Sequence, residues 1–351
     1  MFVVGAVLTA CEPGPPAPEP VAIKYAQAWT ASDFQTMWEQ LTPASQQRVG
    51  TAGFIDRLPR IAQEMTLRSL EARVGQALHP RLPDGSPDPR RATIPMTVTY
   101  RTAKVGDITR DTQLRLVMEG EKQETRWRID WTPENILPGL APGRLVRMTR
   151  LPTTRGRIIT RDGTEIATFG EATQVGVIPG QIRSESGLLQ SLSALLGMKA
   201  EDVKAKYTQS WVKPDTYVAI RSVRDLTNET RVKLSVIEGV QLRAERVRAY
   251  PSGLIPQIVG TTAEATPEDA KKHAARGIEP GDVIGKAGLE ASLDEYLLGT
   301  FGWRLSIVDE AERQIEMLAE TPAIPGLDAV LSLDPKMQRS AEEALGTQKG
   351  A

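Results

Sequence analysis

The chain has 351 residues, with 43 Lys or Arg against 44 Asp or Glu and a net charge of −1. That length leaves room for two or three domains, each with its own core. The charge balance argues against a nucleic-acid partner, which asks for a basic domain or stripe. Two histidines, His79 and His273, and one cysteine, Cys11, exclude an intrachain disulfide and any tetrahedral zinc site built without carboxylates.

Met1 to Ala10 is a run of apolar or small residues. It is too short to span a bilayer, which takes about 20 residues, but it suits the apolar region of a signal peptide. Leu8-Thr9-Ala10-Cys11 resembles a bacterial lipobox, although no basic residue precedes it. The resemblance implies a lipidated Cys11 and a membrane-anchored chain on the extracytoplasmic face. Glu12 to Pro20 is proline-rich and reads as a stiff, extended tether. Residues 1–20 are therefore expected as signal and tether.

From Val21 to Thr132 the pattern is helices first, then strands. Tyr25 and Trp29, then Phe34, Met37, Trp38 and Leu41, recur at helical spacing. Ser32-Asp33-Phe34-Gln35 reads as a cap that restarts the helix at Ser32. Phe54, Leu58, Ile61, Ala62 and Met65 predict another helix, kinked near its middle at Pro59. The period then changes to two. Ile94, Met96, Val98 and Tyr100 alternate with threonines, as Leu114, Leu116 and Met118 and then Trp127, Ile129 and Trp131 alternate with polar residues. These predict half-buried antiparallel strands, joined by a turn-rich loop over Pro80–Arg91 and a hairpin connection over Gly120–Gln123. Helices followed by a curved antiparallel sheet give an α+β cone. Residues 21–133 resemble the NTF2-like N-terminal domain of methicillin-resistance-type class B penicillin-binding proteins, on Ala28-Trp29, Ser32-Asp33-Phe34 and an arginine- and tryptophan-rich last strand. Some NTF2-like folds are small-molecule enzymes that use a carboxylate and a tyrosine inside the cone; Asp130 and Tyr100 are the residue types such a site needs.

Residues 134–150 read as a linker punctuated by Pro138-Gly139 and Pro142-Gly143, with Arg144, Arg147 and Arg150 read as a solvated face, the alternative being a domain-docking role. A mixed α/β domain is expected over 151–319. It opens with Arg155-Gly156-Arg157, a short apolar strand, a tight turn at Asp162-Gly163 beside Arg161, and a second short strand. A strand over Thr173–Ile178 and a helix carrying Leu188, Leu192 and Leu196 and ended by Gly197 come next. A strand at Tyr217–Ile220, a helix at Thr227–Ser235 and a strand at Val240–Val247 follow. Then come Arg248-Ala249-Tyr250-Pro251-Ser252-Gly253 and a glycine-rich run, Gly281, Gly285 and Gly288, leading into Leu289-Glu290, Asp294 and Leu297-Leu298-Gly299. The Arg155 hairpin, the Arg-x-Tyr-Pro-x-Gly element and the Gly-Leu-Glu element, in this order, resemble the non-catalytic dimer (pedestal) domain of class B penicillin-binding proteins. The resemblance implies that the first and third motifs lie close together, so Arg155 or Arg157 is expected to pair with Glu290. The spacing of Gly281, Gly285 and Gly288 fits neither the Walker nor the dinucleotide fingerprint, and no cofactor is expected.

Residues 320–351 resemble the junction into a transpeptidase domain: Leu331-Ser332-Leu333-Asp334 ends a strand and Pro335-Lys336-Met337-Gln338 begins a helix. The family's acyl-transfer chemistry uses Ser-x-x-Lys, Ser-x-Asn and Lys-Thr-Gly elements. Here Ser210-Trp211-Val212-Lys213 matches the first by chance, just before Pro214, where no helix would hold serine and lysine one turn apart. Ser-x-Asn and Lys-Thr-Gly do not occur in these residues. The expected function is the non-catalytic N-terminal part of a class B penicillin-binding protein, working beside a transpeptidase domain or cell-wall synthesis proteins. The alternatives are a surface lipoprotein that binds cell-wall precursors or partner proteins, and an NTF2-like small-molecule enzyme.

Overall fold

The computed structural model describes residues 16–120, 125–253 and 255–346. Cys11 and most of the Gly120–Gln123 connection lie outside the described residues. The chain divides into two compact units: one runs to Pro152 and resumes over Phe301–Ile324, and the other comprises Thr153–Thr300 and the residues from Pro325 onward.

The first unit opens with four helices: α1 (Glu19–Thr30), α2 (Phe34–Glu39), α3 (Pro43–Phe54) and α4 (Arg57–Glu64). Ala22, Tyr25, Ala26 and Trp29 form the buried face of α1. The cap of α2 is Asp33, whose carboxylate accepts the Thr36 N–H at 3.0 Å; the expected cap, Ser32, instead turns the chain with φ 58°. Pro59 does not kink a helix. It falls in the first turn of α4, where its missing N–H has no intrahelical acceptor to lose, and the break lies earlier, at Gly50 inside α3 (φ 68°, ψ 165°).

Four antiparallel strands follow in sequential order: β1 (Leu67–Val74), β2 (Arg91–Thr102), β3 (Asp107–Glu119) and β4 (Arg126–Asp130). The alternation in β2 buries Ala92, Ile94, Met96, Val98 and Tyr100 under the helices. Aromatic rings fill the cone: Phe54 packs edge-on against Trp131 at 4.9 Å and Trp29 against Tyr100 at 6.1 Å. The Trp131 indole donates to the Tyr25 hydroxyl at 2.9 Å, and the Tyr100 hydroxyl donates to the Ile136 carbonyl.

Where a linker was expected, the structure has a strand, β5 (Leu145–Leu151). Its partner lies some 150 residues away in sequence, so no local pattern announces it. The three arginines there do not form a solvated face. Arg144 donates to the Gly139 carbonyl at 2.9 Å, Arg147 pairs with Glu64 at 3.5 Å and with Glu312, and the Arg150 guanidinium lies 4.2 Å from the Phe301 ring centre.

The second unit begins with β6 (Ile158–Thr160) and β7 (Glu165–Val177). The turn between them is a three-residue loop, Arg161-Asp162-Gly163, rather than a two-residue one. The Thr160 N–H bonds the Thr164 carbonyl at 3.0 Å, Gly163 carries the positive φ of 83°, and Arg161 is exposed. The strand expected at Thr173–Ile178 is the far half of one continuous β7. Then come α5 (Glu185–Leu196), closed by Gly197 at φ 61°, α6 (Ala200–Tyr207), β8 (Val218–Val223), α7 (Asn228–Ser235) and β9 (Val240–Ala249). Short elements follow: α8 (Pro256–Val259), β10 (Thr262–Glu264), α9 (Pro267–Lys272), β11 (Val283–Gly285), α10 (Gly288–Ser292) and α11 (Asp294–Leu298).

The chain then returns to the first unit as β12 (Gly302–Val308) and β13 (Gln314–Thr321), which with β5 make a three-stranded antiparallel sheet ordered β13-β12-β5. Leu305, Ile307 and Leu318 from this hairpin join the first unit's core. Finally β14 (Ala329–Leu331) pairs parallel with β6, and α12 (Pro335–Leu345) starts at the Asp334 cap. In the second unit's sheet β7 is central, pairing with β6, β8 and β9. One apolar core (Val175, Leu188, Leu192, Ile220) lies under α5 and α6; another (Ile158, Ile166, Leu297, Ala329) lies under α11.

Candidate functional site

The motif residues converge beside the second of these cores. Arg155 enters from the segment before β6, Arg248 from the end of β9, Glu290 from α10 and Asp294 from the start of α11. All four are under 10 % exposed, and Glu290 is fully enclosed. Arg155 Nε and Nη2 reach Glu290 Oε2 at 2.9 and 2.8 Å, and Arg155 Nη1 reaches Asp294 Oδ1 at 2.7 Å. Arg155 Nη2 also donates to the Glu290 carbonyl at 2.9 Å. Arg248 Nε donates to the other Glu290 oxygen at 2.7 Å, and its Nη1 to the Gly156 carbonyl at 2.8 Å.

Of the two arginines offered by the sequence, Arg155 is the one that meets Glu290. Arg157 points to the surface, where it pairs with Asp328 at 2.6 Å and Glu165 at 3.2 Å. Asp294 and Arg248 also ligate this knot, and sequence reasoning assigned neither a partner. A signal existed for Asp294: it follows Glu290 by four residues, the spacing that puts two side chains on one side of a helical stretch.

Three glycines of the motifs, Gly156, Gly285 and Gly288, are there for close approach. A Cβ on Gly156 would sit 2.0 Å from the Leu327 carbonyl oxygen, and one on Gly285 1.8 Å from the Glu290 carbonyl oxygen. Gly288 combines φ 58° with a Cβ position 2.3 Å from the Ile258 carbonyl oxygen, so no side chain fits there. Tyr250 accepts the Thr262 N–H on its hydroxyl at 3.2 Å, and Pro251 and Gly253 (φ 62°) form the turn beyond it.

Two positive and two negative charges thus neutralise each other inside the protein, with every carboxylate hydrogen-bonded, which is the condition for burying ions at all. Burial works to raise the Asp294 carboxyl, but the Gly285 N–H at 2.7 Å, Arg155, and Arg276 at 2.9 Å outweigh it and hold the group below the usual aspartate range. At the surface, Arg157 lowers Asp328 in the same way. The knot offers no nucleophile and no open face. It cross-links β6, β9, β11, α10 and α11.

The residues considered for catalysis are not brought together. Ser210 and Lys213 sit in an exposed turn after α6, where the Val212 N–H bonds the Gln209 carbonyl at 3.0 Å. Asp130 lies on the outer side of β4, 45 % exposed at its side chain and paired with Arg48 at 3.1 Å, whereas Tyr100 is enclosed in the cone. Among the described residues no group of three or more His, Cys, Asp or Glu is placed to hold a metal ion, and no helix is long and apolar enough to cross a membrane.

A family model described as the penicillin-binding protein dimerisation domain matches residues 150–331. The chain belongs to the penicillin-binding protein family. A second model, for the NTF2-like N-terminal transpeptidase domain, matches residues 17–144. Penicillin-binding protein 3 of Bacillus subtilis is 25 % identical over 336 residues, covering 95 % of this chain and 49 % of that protein. The peptidoglycan D,D-transpeptidase MrdA of Escherichia coli K12 is 23 % identical over 215 residues, covering 59 % of this chain and 34 % of that protein. This chain therefore spans about half the length of the first relative and a third of the second. A solved complex between penicillin-binding protein PBP2 and MreC from Helicobacter pylori contains a chain of 19 % identity that covers 57 % of this chain and 38 % of that one, at a TM-score of 0.43. That score is too low to build on.

Proposed function

We propose that this penicillin-binding protein chain is the non-catalytic, supporting part of a class B enzyme. It holds a transpeptidase domain on the extracytoplasmic side of the membrane and does not itself carry out acyl transfer. What supports the reading is the knot of Arg155, Arg248, Glu290 and Asp294: each of the three dimer-domain motifs gives it at least one charged residue, and these are buried and paired with one another rather than turned to a substrate. Acyl transfer needs an activated serine beside a base and an oxyanion site, and the one Ser-x-x-Lys pair lies in a surface turn. Helix α12 fits a transpeptidase domain beyond it. It has an apolar stripe, Met337, Ala341 and Leu345, with Met337 73 % and Leu345 40 % exposed, and such a face asks for a partner. Anchoring through a lipid on Cys11 completes the proposal, supported by Leu8-Thr9-Ala10-Cys11 and the proline-rich stretch after it.

Incubation of the purified chain with a fluorescent penicillin tests the supporting role. No covalent label is expected after denaturing electrophoresis; a labelled band that competes with unlabelled β-lactam refutes it. Anchoring is tested by acyl-chain labelling in cells: Cys11→Ser is expected to abolish incorporation.

A further inference from the structure

Strand β1 lies at one end of the first unit's sheet, which is ordered β1-β2-β3-β4, and among the described residues nothing pairs with its outer edge. The phase of the ladder tells which groups that edge presents. The Gly75 N–H bonds the Pro95 carbonyl at 2.8 Å, one step beyond the Val74–Met96 pair. Backbone direction alternates along an antiparallel strand. Glu71 and Arg73 therefore turn their N–H and C=O groups to β2, while Leu70, Ala72 and Val74 turn theirs outward. The side chains of these same three residues face the core: Leu70 is buried in it, and Ala72 and Val74 pack on it partly exposed. Beside Ala72 and Val74 a groove of about 440 Å³ opens along α1, lined also by Ile23, Ala26 and Thr30, and Ile23 is 43 % exposed. On the other face of β1, Glu71 lies 2.8 Å from Arg73 and 3.7 Å from Arg101.

We propose that β1 is a self-pairing edge: two copies of this chain join antiparallel about a two-fold axis at Ala72, so that the sheet of one continues into the sheet of the other. A row of unpaired backbone groups is matched by another extended strand, and β1 is complementary to its own reverse. With Ala72 on the axis, Leu70 stands opposite Val74 of the second copy and Glu71 opposite Arg73 of the second copy, and symmetry makes each pairing twice. Leu70, Ala72 and Val74 then form the hydrogen-bonded pairs that their outward backbone groups require. The Glu71–Arg73 pairs fall at the other positions, where opposite side chains come closest. Charge selects this register. Moving the axis to Glu71 or to Arg73 sets like charges against each other. Charges on an edge strand usually ward off other strands; here they are satisfied when the strand meets itself. The added strand also closes the open side of the groove and covers Ile23. A contact this short supports a weak, reversible dimer. The inference is independent of the supporting role proposed above.

Sedimentation equilibrium of the full chain over a wide concentration range is expected to show reversible exchange between monomer and dimer. Arg73→Glu sets a carboxylate opposite Glu71 at both pairings, and Glu71→Arg sets a guanidinium opposite Arg73; each is expected to weaken the dimer about tenfold or more. Glu71→Arg combined with Arg73→Glu opposes the charges again and is expected to recover most of that loss. Ala72→Pro removes an N–H that β2 does not use, so the fold, followed by far-ultraviolet circular dichroism, is kept and the dimer is lost. Should the proline variant unfold, the charge variants, which lie on the surface, decide the matter alone. A chain that stays monomeric at every concentration overturns the proposal. So does a dimer that a folded Ala72→Pro leaves intact, or one whose charge variants dimerise like the parent or are not rescued by the combined swap.

Discussion

Glu290→Gln is the most informative perturbation of the knot. The side chain keeps its shape but loses its charge and one acceptor. In the parent, one carboxylate oxygen takes Arg155 at 2.9 and 2.8 Å and the other takes Arg248 at 2.7 Å. An amide presents one oxygen and one NH2 group, so either orientation sets a donor against a buried guanidinium. Breaking a buried ion pair from one side typically costs about 3–5 kcal/mol. Arg155 retains Asp294 and the Glu290 carbonyl, so the lower end applies, about 3 kcal/mol, or roughly 6–12 °C for a unit of this size. Five of the six tryptophans (Trp29, Trp38, Trp127, Trp131 and Trp303) lie in the first unit. Tryptophan emission therefore follows the first unit and should not move, while the transition seen by calorimetry or far-ultraviolet circular dichroism for the second unit should drop. Adding Arg155→Met to Glu290→Gln should cost less than the two single losses summed, by about 1–3 kcal/mol. A single-variant loss under about 1 kcal/mol, or a strictly additive pair, refutes the account of a mutually dependent knot.

Arg157→Ala should leave the same denaturation close to the parent's, because its pair with Asp328 is solvent-screened; a loss as large as that of Glu290→Gln would mean Arg157 belongs to the knot. Gly156→Ala should destabilise the second unit by about 3 kcal/mol or more, since the new Cβ meets backbone 2.0 Å away that has no rotamer to yield; a loss below about 1 kcal/mol would show that β14 simply moves aside. Tyr25→Phe should cost about 1–3 kcal/mol in the emission-monitored transition by leaving the buried Trp131 N–H without its acceptor. Folding lowers the carboxyls of Asp294 and Asp328, so the stability they contribute is complete above their unfolded value near about pH 4 and is lost as pH falls through the lowered folded values. Calorimetry of the second unit that stays flat from about pH 5 to about pH 2 would contradict this sign.

The parts legible in the sequence were those whose signal is local. The period-two strands β2, β3 and β4, the helix closed by Gly197, and Thr227 at the head of α7 all follow from neighbouring residues. So did the positions of Arg155, Arg248 and Glu290, because motif spacing is itself local. What was not legible depends on distant partners. Strand β5 reads as linker because Leu145–Leu151 is defined only by pairing with Gly302–Val308. Strand β1 lacks a clean alternation because it lies at the sheet edge, with only Leu70 fully buried. The choice between Arg155 and Arg157 was not legible because residues two apart share a face of a regular extended segment, and the structure sends them to different partners, Arg155 to Glu290 and Arg157 to Asp328. Arg147 looked solvated because its partners, Glu64 and Glu312, are each more than 80 residues away in sequence.

The return of β12 and β13 to the first unit has a consequence for how the molecule can be taken apart. Leu151 stands opposite Gly302 in a ladder of antiparallel strands, so the excursion through Thr153–Thr300 leaves and re-enters at neighbouring points, as an insert in the loop of a hairpin. A chain cut after the first family match, near residue 144, forfeits β5, β12 and β13 and bares the core that Leu305, Ile307 and Leu318 cover. A chain in which a short turn joins Leu151 to Gly302 keeps that cover. The Thr153–Thr300 part of the second unit thus has its seams at 152 and 301, and the residues from Pro325 onward, whose β14 pairs with β6, go with it at a third seam after Ile324, whereas the family matches place the first boundary between 144 and 150.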